Sequence, residues 1–308
     1  MNMEHQFGRW QVGCDGEDGG RLTCLRYGGR DLLTRRPAVF VPPAKDFGAY
    51  ERRPVFGYDD CFPTVDACTL PRCGQARGAA GGDAPATRLP DHGELCYLPW
   101  QVIPGTNSLD CRVRSRLMKG VEFRRLMTFD ADALTWRFTI RNESDDALDF
   151  MHVMHGLMPP ARLSAITVPE FAGALDEVGS HRLPVTTAGE LAEWLPAISR
   201  GRFEMLLLQG VKASWFELVF DYGFTLRVEF PREMFPTLAI WWNREGYPQP
   251  GAARDECAFE PCPGTCSSLY KSHGEGRCLR VGGRGELSWR IVWKVSLRRA
   301  CHEIKCRP

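Results

Sequence analysis

Alternation of apolar and polar residues over whole segments restricts the fold of this chain more than any other sequence feature. In residues 286–297, Leu, Trp, Ile, Trp, Val and Leu occupy every second position. Successive side chains of a β-strand point to opposite faces, so this period of two predicts a long strand with one buried face. The pattern recurs in residues 121–129 and 136–141, which the segment 130–133 joins into a predicted hairpin.

A second hairpin is predicted for residues 214–230, with its turn at Asp221-Tyr222-Gly223. Residues 74–90 are rich in Gly, Ala and Pro and lack periodicity, which predicts a surface loop. Strand patterning continues on both sides of that loop. We therefore predict an all-β protein, an antiparallel sandwich in which residues 1–308 form a single domain.

One short helix interrupts the strand patterning. Thr187 and Glu190 have the spacing of a capping box ahead of the apolar Leu191, and such a box marks a helix start. Pro196 follows soon afterwards and is expected to disturb the helix.

The composition is that of an ordinary globular protein. The chain has 308 residues, 44% of them hydrophobic and 25% charged, with a formal net charge of +1. A basic surface for nucleic acid is therefore not expected. Glu4 and His5 interrupt the stretch in which a secretory signal would need an apolar run, and no segment approaches 18 apolar residues. We expect a cytoplasmic protein that does not enter a membrane.

The chain contains 13 cysteines, an odd number in a long sequence without an export signal. These features favour reduced thiols over a disulfide framework. Two groups of cysteines are close enough in sequence to be considered as zinc ligands. They are Cys257, Cys262 and Cys266 with His273, and Cys61, Cys68 and Cys73. Neither group contains a CxxC pair, so we expect buried thiols and no metal.

Three segments place ionisable residues beside Gly or Pro, as loops and strand ends that carry function often do. They are 90–94 (PDHGE), 152–156 (HVMHG) and 259–264 (FEPCPG). Each is weak evidence alone, because a single His or Glu in such a place is usually structural.

Taken in order, with Trp100 after the first, these segments resemble the aldose 1-epimerase, or galactose mutarotase-like, superfamily. Residues 21–33, RLTCLRYGGRDLL, are similar to the opening hairpin of the family. Residues 57–64, GYDDCFPT, and 239–269, from AIWWN to EPCPGTCSSL, are similar to two further family segments. The resemblance implies an antiparallel β-supersandwich that holds a sugar on its concave face and interconverts its anomers without a metal or organic cofactor.

The resemblance assigns Glu260 as general base, His155 as general acid and His92 as a second histidine at the sugar. The reaction itself demands such a pair, since the anomeric hydroxyl loses a proton while the ring oxygen gains one. A carboxylate and an imidazole that titrate near neutrality can do both. His152 lies three positions before His155 and should face the other way, which favours a structural role for it.

Further sugar contacts are predicted around this pair. The residues assigned to substrate binding are Arg53, Asp60, Trp100, Trp241 and Asn243. Either Trp241 or Trp242 can offer a flat apolar face to a pyranose, but adjacent strand residues point to opposite faces, so only one can do so.

Arg52, Arg53 and Arg72 lie where many family members have a substrate-contacting arginine. The residues around the acid, His155-Gly156-Leu157-Met158, differ from those of true galactose mutarotases. Arginines such as Arg53 and Arg125 leave room for a phosphorylated or acidic sugar.

The expected partner is a small-molecule sugar, and the expected assembly is a monomer or homodimer. Two other functions stay open. One is a non-catalytic sugar-binding or regulatory module. The other is a lyase or hydrolase on the same fold, in which Glu94, Asp59 or Asp60 would supply the second carboxylate that hydrolysis needs.

Overall fold

Antiparallel strand pairing dominates the computed structural model, which describes residues 2–37, 50–70, 87–178, 181–183, 185–248 and 254–297. The strands are β1 (Asn2–Phe7), β2 (Trp10–Asp15), β3 (Arg21–Tyr27), β4 (Arg30–Asp31), β5 (Tyr58–Cys61), β6 (Cys68–Leu70), β7 (Thr87–Leu89), β8 (Gln101–Pro104), β9 (Ser108–Arg114), β10 (Val121–Phe129), β11 (Ala133–Asn142), β12 (Leu148–Phe150), β13 (Val153–Gly156), β14 (Leu163–Thr167), β15 (Gly173–Asp176), β16 (His181–Arg182), β17 (Arg202–Gln209), β18 (Trp215–Phe220), β19 (Phe224–Glu229), β20 (Thr237–Arg244), β21 (Asp255–Cys262), β22 (Leu279–Val281) and β23 (Glu286–Leu297). The α-helices in these ranges are α1 (Ala188–Trp194) and α2 (Leu269–Gly274), and 3-10 turns lie at Tyr50–Arg52, Leu95–Tyr97, Pro160–Arg162 and Leu195–Ala197.

The longest sheet, called here the large sheet, has the order β14-β18-β19-β23-β11-β10-β9-β8. It confirms the strand predictions made from period-two alternation. The segment 121–129 is β10, which pairs with β11 in the predicted hairpin, and β18 pairs with β19 across the turn from Phe220 to Phe224. In β23 the alternating Trp289, Ile291, Trp293 and Val295 are buried.

Two further sheets form the layer that carries the candidate site. The N-terminal sheet has the order β1-β2-β3-β5-β13, with β4 on β3, and the C-terminal sheet has the order β16-β15-β17-β20-β21. They meet where Met158 and Cys257 exchange backbone hydrogen bonds of 2.7 and 2.9 Å. Strand β13 therefore lies beside β21, and the two sheets continue each other across this seam.

The core lies between this layer and the large sheet. Tyr58 of β5 packs on Trp136 of β11 with ring centroids 4.9 Å apart, and Phe259 of β21 packs on Phe216 of β18 at 5.5 Å. Residues next to these in sequence, such as Asp59 and Glu260, must point away from the core because strand side chains alternate. The antiparallel sandwich predicted from the sequence is confirmed. Strands β6 and β7, and strands β12 and β22, form two small additional ribbons.

Helix α1 confirms the predicted capping box. The backbone N–H of Glu190 donates to Thr187 Oγ1 at 3.2 Å, and the backbone N–H of Thr187 donates to Glu190 Oε2 at 3.1 Å. The helix ends at Trp194, and Pro196 lies in the 3-10 turn that follows. None of the helices in the described ranges is long and apolar enough to cross a membrane.

The predicted surface loop at 74–90 is wrong in its last part. Residues Thr87–Leu89 form β7, which pairs with β6, and residues 74–86 lie outside the described ranges. A short edge ribbon carries too few alternating residues to stand out beside a Gly- and Ala-rich segment.

Candidate functional site

The candidate site is a cavity of about 280 Å³ at the seam between β13 and β21. His155 of β13 and Glu260 of β21 both line it, and His92 lines it from the turn at 90–93. These are the side chains to which the sequence assigns catalysis. They lie on three different segments of the chain. The seam brings His155 and Glu260 together, and the turn of His92 is attached beside them by the bridge between Gly93 and Phe62.

Glu260 is almost completely buried, with 3% of the residue exposed, and its Oε1 has no hydrogen-bond partner among the described residues. Burial raises the pKa of Glu260 to about 7, the nearby negative charge of Asp59 adds to this shift, and His155 opposes it. A carboxylate that titrates near neutrality and lines a cavity is suited to exchange protons with a ligand.

Asp59 of β5 holds His155 in place. The two residues are directly opposite each other in the antiparallel register, so their side chains share one face of the sheet. His155 Nδ1 lies 3.0 Å from Asp59 Oδ1, while the Tyr50 hydroxyl donates to Asp59 Oδ2 at 2.8 Å. With Nδ1 bound to the carboxylate, Nε2 is the ring nitrogen left for a ligand.

The charge of Asp59 also tunes the histidine. Burial by itself lowers the pKa of His155, but the hydrogen bond and charge of Asp59, together with the charge of Glu260, raise the pKa above its ordinary value. Arg21 lies 3.3 Å from Asp59 Oδ2, and despite the burial this guanidinium and His155 keep the pKa of Asp59 well below its usual range. Asp59 is therefore ionised wherever the protein is folded near neutral pH.

A turn with strained backbone carries His92. The φ angle of His92 is +59°, and the next residue, Gly93, has a φ of +70°. A Cβ on Gly93 would lie 2.0 Å from the carbonyl oxygen of Phe62, so only glycine fits there. The His92 ring stacks on Tyr50 at 3.7 Å between centroids and lies edge-on to His155 at 4.9 Å.

Aromatic side chains form part of the cavity wall. Trp241 of β20 lines the cavity, with Phe203 and Tyr247 packed near it at 5.5 and 5.3 Å between centroids. Trp242 is buried in the core with 1% of the residue exposed. The alternation of the strand thus places Trp241 at the cavity and Trp242 on the opposite face, as expected of adjacent residues.

The structure does not bring Asp60 or Trp100 to the cavity, contrary to the substrate-binding roles predicted for them. Asp60 points into the core, where Arg125 donates to it at 2.5 Å and His152 Nε2 lies 3.0 Å away. Trp100 is buried beside Arg125, and its indole N–H donates to the carbonyl of Leu95 at 3.0 Å. The same contacts support the structural role predicted for His152.

Arg53 and Asn243 are also removed from the cavity lining. Arg53 is buried and pairs with Asp18 and with the carbonyl of Cys96. The Asn243 side chain accepts from the backbone N–H groups of Gly246 and Tyr247 at 2.9 and 3.0 Å, so it fixes the loop after β20. Arg72 and the side chain of Arg52 lie outside the part of the chain that the structure describes.

The site contains residues that sequence reasoning missed. Tyr50 joins Asp59, His155 and His92, and Arg254 lines the cavity from the start of β21. No local pattern marks Tyr50, which is 105 positions from His155 in sequence. Asp59 was visible in GYDDCFPT, but its orientation depends on which face of β5 meets β13.

The residues considered as zinc ligands are not grouped together in the described part of the chain. The cysteines in the described ranges form no disulfide bonds, and Cys73 lies outside those ranges. His273 is placed with Asp149 and Cys278 rather than with Cys257, Cys262 or Cys266. Its Nδ1 lies 2.8 Å from Asp149, which also accepts from Arg280 at 3.0 Å, so a histidine and an arginine already partner that carboxylate.

Comparison with solved structures finds the same fold at low sequence identity. The Slr1438 protein from Synechocystis is 18% identical with a TM-score of 0.70, covering 97% of this chain and 96% of its own. A protein from Escherichia coli K12 provisionally named aldose 1-epimerase is 15% identical with a TM-score of 0.69, covering 96% of this chain and 99% of its own.

A galactose mutarotase-like protein from Clostridium acetobutylicum is 13% identical with a TM-score of 0.65, covering 96% of this chain and 94% of its own. No protein-family model matches the sequence, and no curated protein matches it either. The similarity is thus one of three-dimensional structure along nearly the whole chain, and the resemblance drawn from the ordered motifs is confirmed at the level of the fold. This chain has the galactose mutarotase-like β-sandwich fold.

Proposed function

We propose that this protein is an aldose 1-epimerase-like enzyme that interconverts the anomers of a monosaccharide by opening and reclosing its ring. The observation that carries the proposal is the pairing of Glu260 and His155 in one cavity. Glu260 offers a buried carboxylate oxygen without a partner, and His155 offers Nε2 while Asp59 fixes its other nitrogen. A base and an acid facing one small space is the arrangement that anomer exchange requires.

In the proposed reaction, the Glu260 carboxylate removes the proton from the anomeric hydroxyl while protonated His155 donates to the ring oxygen. The bond between the anomeric carbon and the ring oxygen breaks, which gives the open-chain aldehyde. Rotation about the bond between carbons 1 and 2 turns the other face of the carbonyl toward the returning hydroxyl. Reclosure reverses both proton transfers and restores the two side chains. Each proton transfer can contribute about 10²–10⁴-fold in rate.

The cavity supports a monosaccharide as the substrate. Its volume of about 280 Å³ is close to the lower end of the roughly 300–1,000 Å³ found for small-ligand sites. Trp241 supplies an apolar wall of the kind that packs against a sugar ring, and His92, which also lines the cavity, is the side chain that we propose contacts a hydroxyl. This chemistry needs no electron transfer and no metal-bound water, so the proposal includes no cofactor.

The pKa values support activity near neutral pH. The fraction of Glu260 that is ionised grows as pH rises through about 7, and the fraction of His155 that is protonated falls as pH rises through its raised pKa. The product of the two fractions passes through a maximum, so we expect a bell-shaped pH profile.

The test is the rate of anomer interconversion, followed by polarimetry or NMR for freshly dissolved aldoses. Glu260→Gln keeps the shape of the side chain but cannot accept the proton, so its acceleration should fall by about 10²–10⁴-fold. Glu233→Gln is the matched control, since that side chain is 76% exposed on the surface and should leave the rate unchanged. Circular dichroism of both variants establishes that they are folded.

The alternatives predict different results. A sugar-binding module would bind aldoses, yet wild type and Glu260→Gln would show equal rates.

A hydrolase would release sugar from glycosides, but two of the carboxylates predicted as partners for Glu260 are used elsewhere. Glu94 accepts from the backbone N–H groups of Arg116 and Leu117 at 2.8 and 3.1 Å, and Asp60 points into the core.

A further inference from the structure

The charges around the cavity are strongly unbalanced. Among the described residues that line it, the carboxylates are those of Glu51, Asp66, Asp91, Glu177 and Glu260, and the guanidinium is that of Arg254. The cavity is also lined by the imidazoles of His92 and His155, so five carboxylates stand against one guanidinium and two imidazoles. A ligand in this cavity therefore meets an excess of negative charge.

Arg254 does not offset that excess, because its own partners are carboxylates. Its guanidinium pairs with Glu51 on one side and with Glu256 on the other, where the two N···O distances are 2.7 and 2.9 Å. A phosphate or carboxylate on a sugar would have to displace one of these partners to reach the arginine. Glu51 and Glu256 carry two negative charges against the single positive charge of Arg254. This group of three side chains therefore has a net negative charge.

A second group of carboxylates lines the cavity, those of Asp66, Glu177 and Asp91. Ser267 links the first two: the Asp66 N–H donates to the Ser267 carbonyl at 2.9 Å, and Ser267 donates to Glu177 through its N–H at 2.7 Å and its hydroxyl at 2.5 Å. Asp66 is exposed to solvent, but partial desolvation beside the cavity raises its pKa to about 6, and the charges of Glu177 and Asp91 add to this shift. A cation placed beside these carboxylates would relieve their repulsion.

The arginines that suggested an anionic sugar are not available to one. Arg53 is buried against Asp18, and Arg125 is buried against Asp60 on the core side of β5. Neither lines the cavity. The expectation of a phosphorylated or acidic substrate therefore loses its structural basis, and the charges that do line the cavity favour the opposite kind of ligand.

We infer that the cavity selects aldoses by charge, preferring amino sugars that carry an ammonium group over neutral sugars and disfavouring phosphorylated or carboxylated ones. This inference rests on the proposed function for the site but concerns a separate property, the affinity. The carboxylates that line the cavity favour a cationic substituent on the sugar and disfavour an anionic one. A protonated amine donates hydrogen bonds to carboxylates, whereas a phosphate offers acceptors and repulsion.

The experiment compares the binding of related sugars to the wild-type protein by ligand-detected NMR at low salt. Glucosamine and galactosamine are set against glucose and galactose, against the N-acetylated amino sugars, and against glucose 6-phosphate and glucuronate. At about pH 7 an amine with the basicity of an α-amino group is largely protonated. We expect each amino sugar to bind about 5-fold more tightly than its neutral parent, the effect of one partly exposed ion pair.

Salt and a point variant identify the cause. Raising the ionic strength should reduce the preference, because exposed charges are screened. Asp66→Asn should reduce the preference for amino sugars to about 2-fold or less, because it removes one of the carboxylates that line the cavity. Asp145→Asn removes the same charge from a side chain that is 83% exposed and does not line the cavity, so the full preference should remain.

Three outcomes overturn the inference: amino sugars that bind no more tightly than their neutral parents, glucose 6-phosphate or glucuronate that binds as tightly as glucose, or a folded Asp66→Asn protein that keeps the full preference. Failure of the proposed function looks different. In that case no sugar in the panel would interconvert faster, while the order of affinities would still follow charge.

Discussion

Replacing Asp59 by Asn isolates the contribution of the carboxylate behind His155. Asn has the same shape but no charge, and its amide can donate to Nδ1 and thereby favour the wrong tautomer. The lost contact is a buried, charge-assisted hydrogen bond of 3.0 Å, of a kind worth about 1.5–3 kcal/mol. Its loss disfavours protonated His155, and an energy of that size corresponds to about a 10- to 100-fold lower rate where that form limits the reaction.

The sign of the pH effect follows from the same charges. Without the negative charge of Asp59, burial lowers the pKa of His155, so the alkaline limb of the pH profile moves to lower pH. The charge of Asp59 also raises the pKa of Glu260, so the acid limb moves in the same direction. We therefore expect the whole bell to shift toward acid, with a rate at pH above 7 reduced about 10- to 100-fold.

The assay is the pH dependence of anomer interconversion, with the His155 ring signals followed by NMR in parallel. Asp60→Asn is the matched control, because Asp60 is equally buried and ion-paired but lies on the core face. Removing either carboxylate leaves a buried arginine with fewer partners. The free energy of unfolding should fall by about 3–5 kcal/mol if the ion pair is fully broken. A folded Asp59→Asn protein with an unmoved profile, or one moved toward alkali, would refute the reasoning.

Substitutions of Trp241 and Gly93 test the aromatic wall of the cavity and the turn that carries His92. Trp241→Ala should raise KM about 2- to 12-fold with little change in kcat, as loss of about 0.5–1.5 kcal/mol of ring packing implies, and steady-state kinetics measure both. Trp242→Ala should instead destabilise the protein by about 3–5 kcal/mol in urea unfolding, because it empties a core position. Gly93→Ala should cost at least about 1–2 kcal/mol and lower the rate, since the left-handed backbone and the Phe62 carbonyl exclude a methyl group and the turn positions His92. A Trp241→Ala protein with normal KM, or a Gly93→Ala protein of normal stability, would contradict these assignments.

The strands that could be predicted are those whose alternation is long enough to outweigh chance. The hairpin of β10 and β11 and the strand β23 were readable because each carries four or more buried positions at a period of two. Strand β7 was missed because its three residues are too few to show an alternation. The single domain over 1–308 stays a prediction.

The candidate site was only partly readable, because its parts come from separate segments. Glu260, His155 and His92 followed from ordered motifs, and the structure places them in one cavity. Asp60 was chosen where Asp59 lies at the site, since the sequence does not state which of two adjacent residues faces the core. Tyr50 depends on contacts between distant segments and left no local trace.

The candidate active centre lies at the seam between β13 and β21, where the N-terminal sheet meets the C-terminal sheet. His155 belongs to the N-terminal sheet and Glu260 to the C-terminal sheet, and the backbone bridge of Met158 and Cys257 is where those sheets touch directly. Separation of the two sheets by an ångström or two would leave the hydrogen bonds within each sheet intact while moving His155 away from Glu260. Mild denaturant should therefore abolish turnover at a lower concentration than the one that changes the far-ultraviolet circular dichroism of the strands. Loss of turnover would then report local opening of the seam.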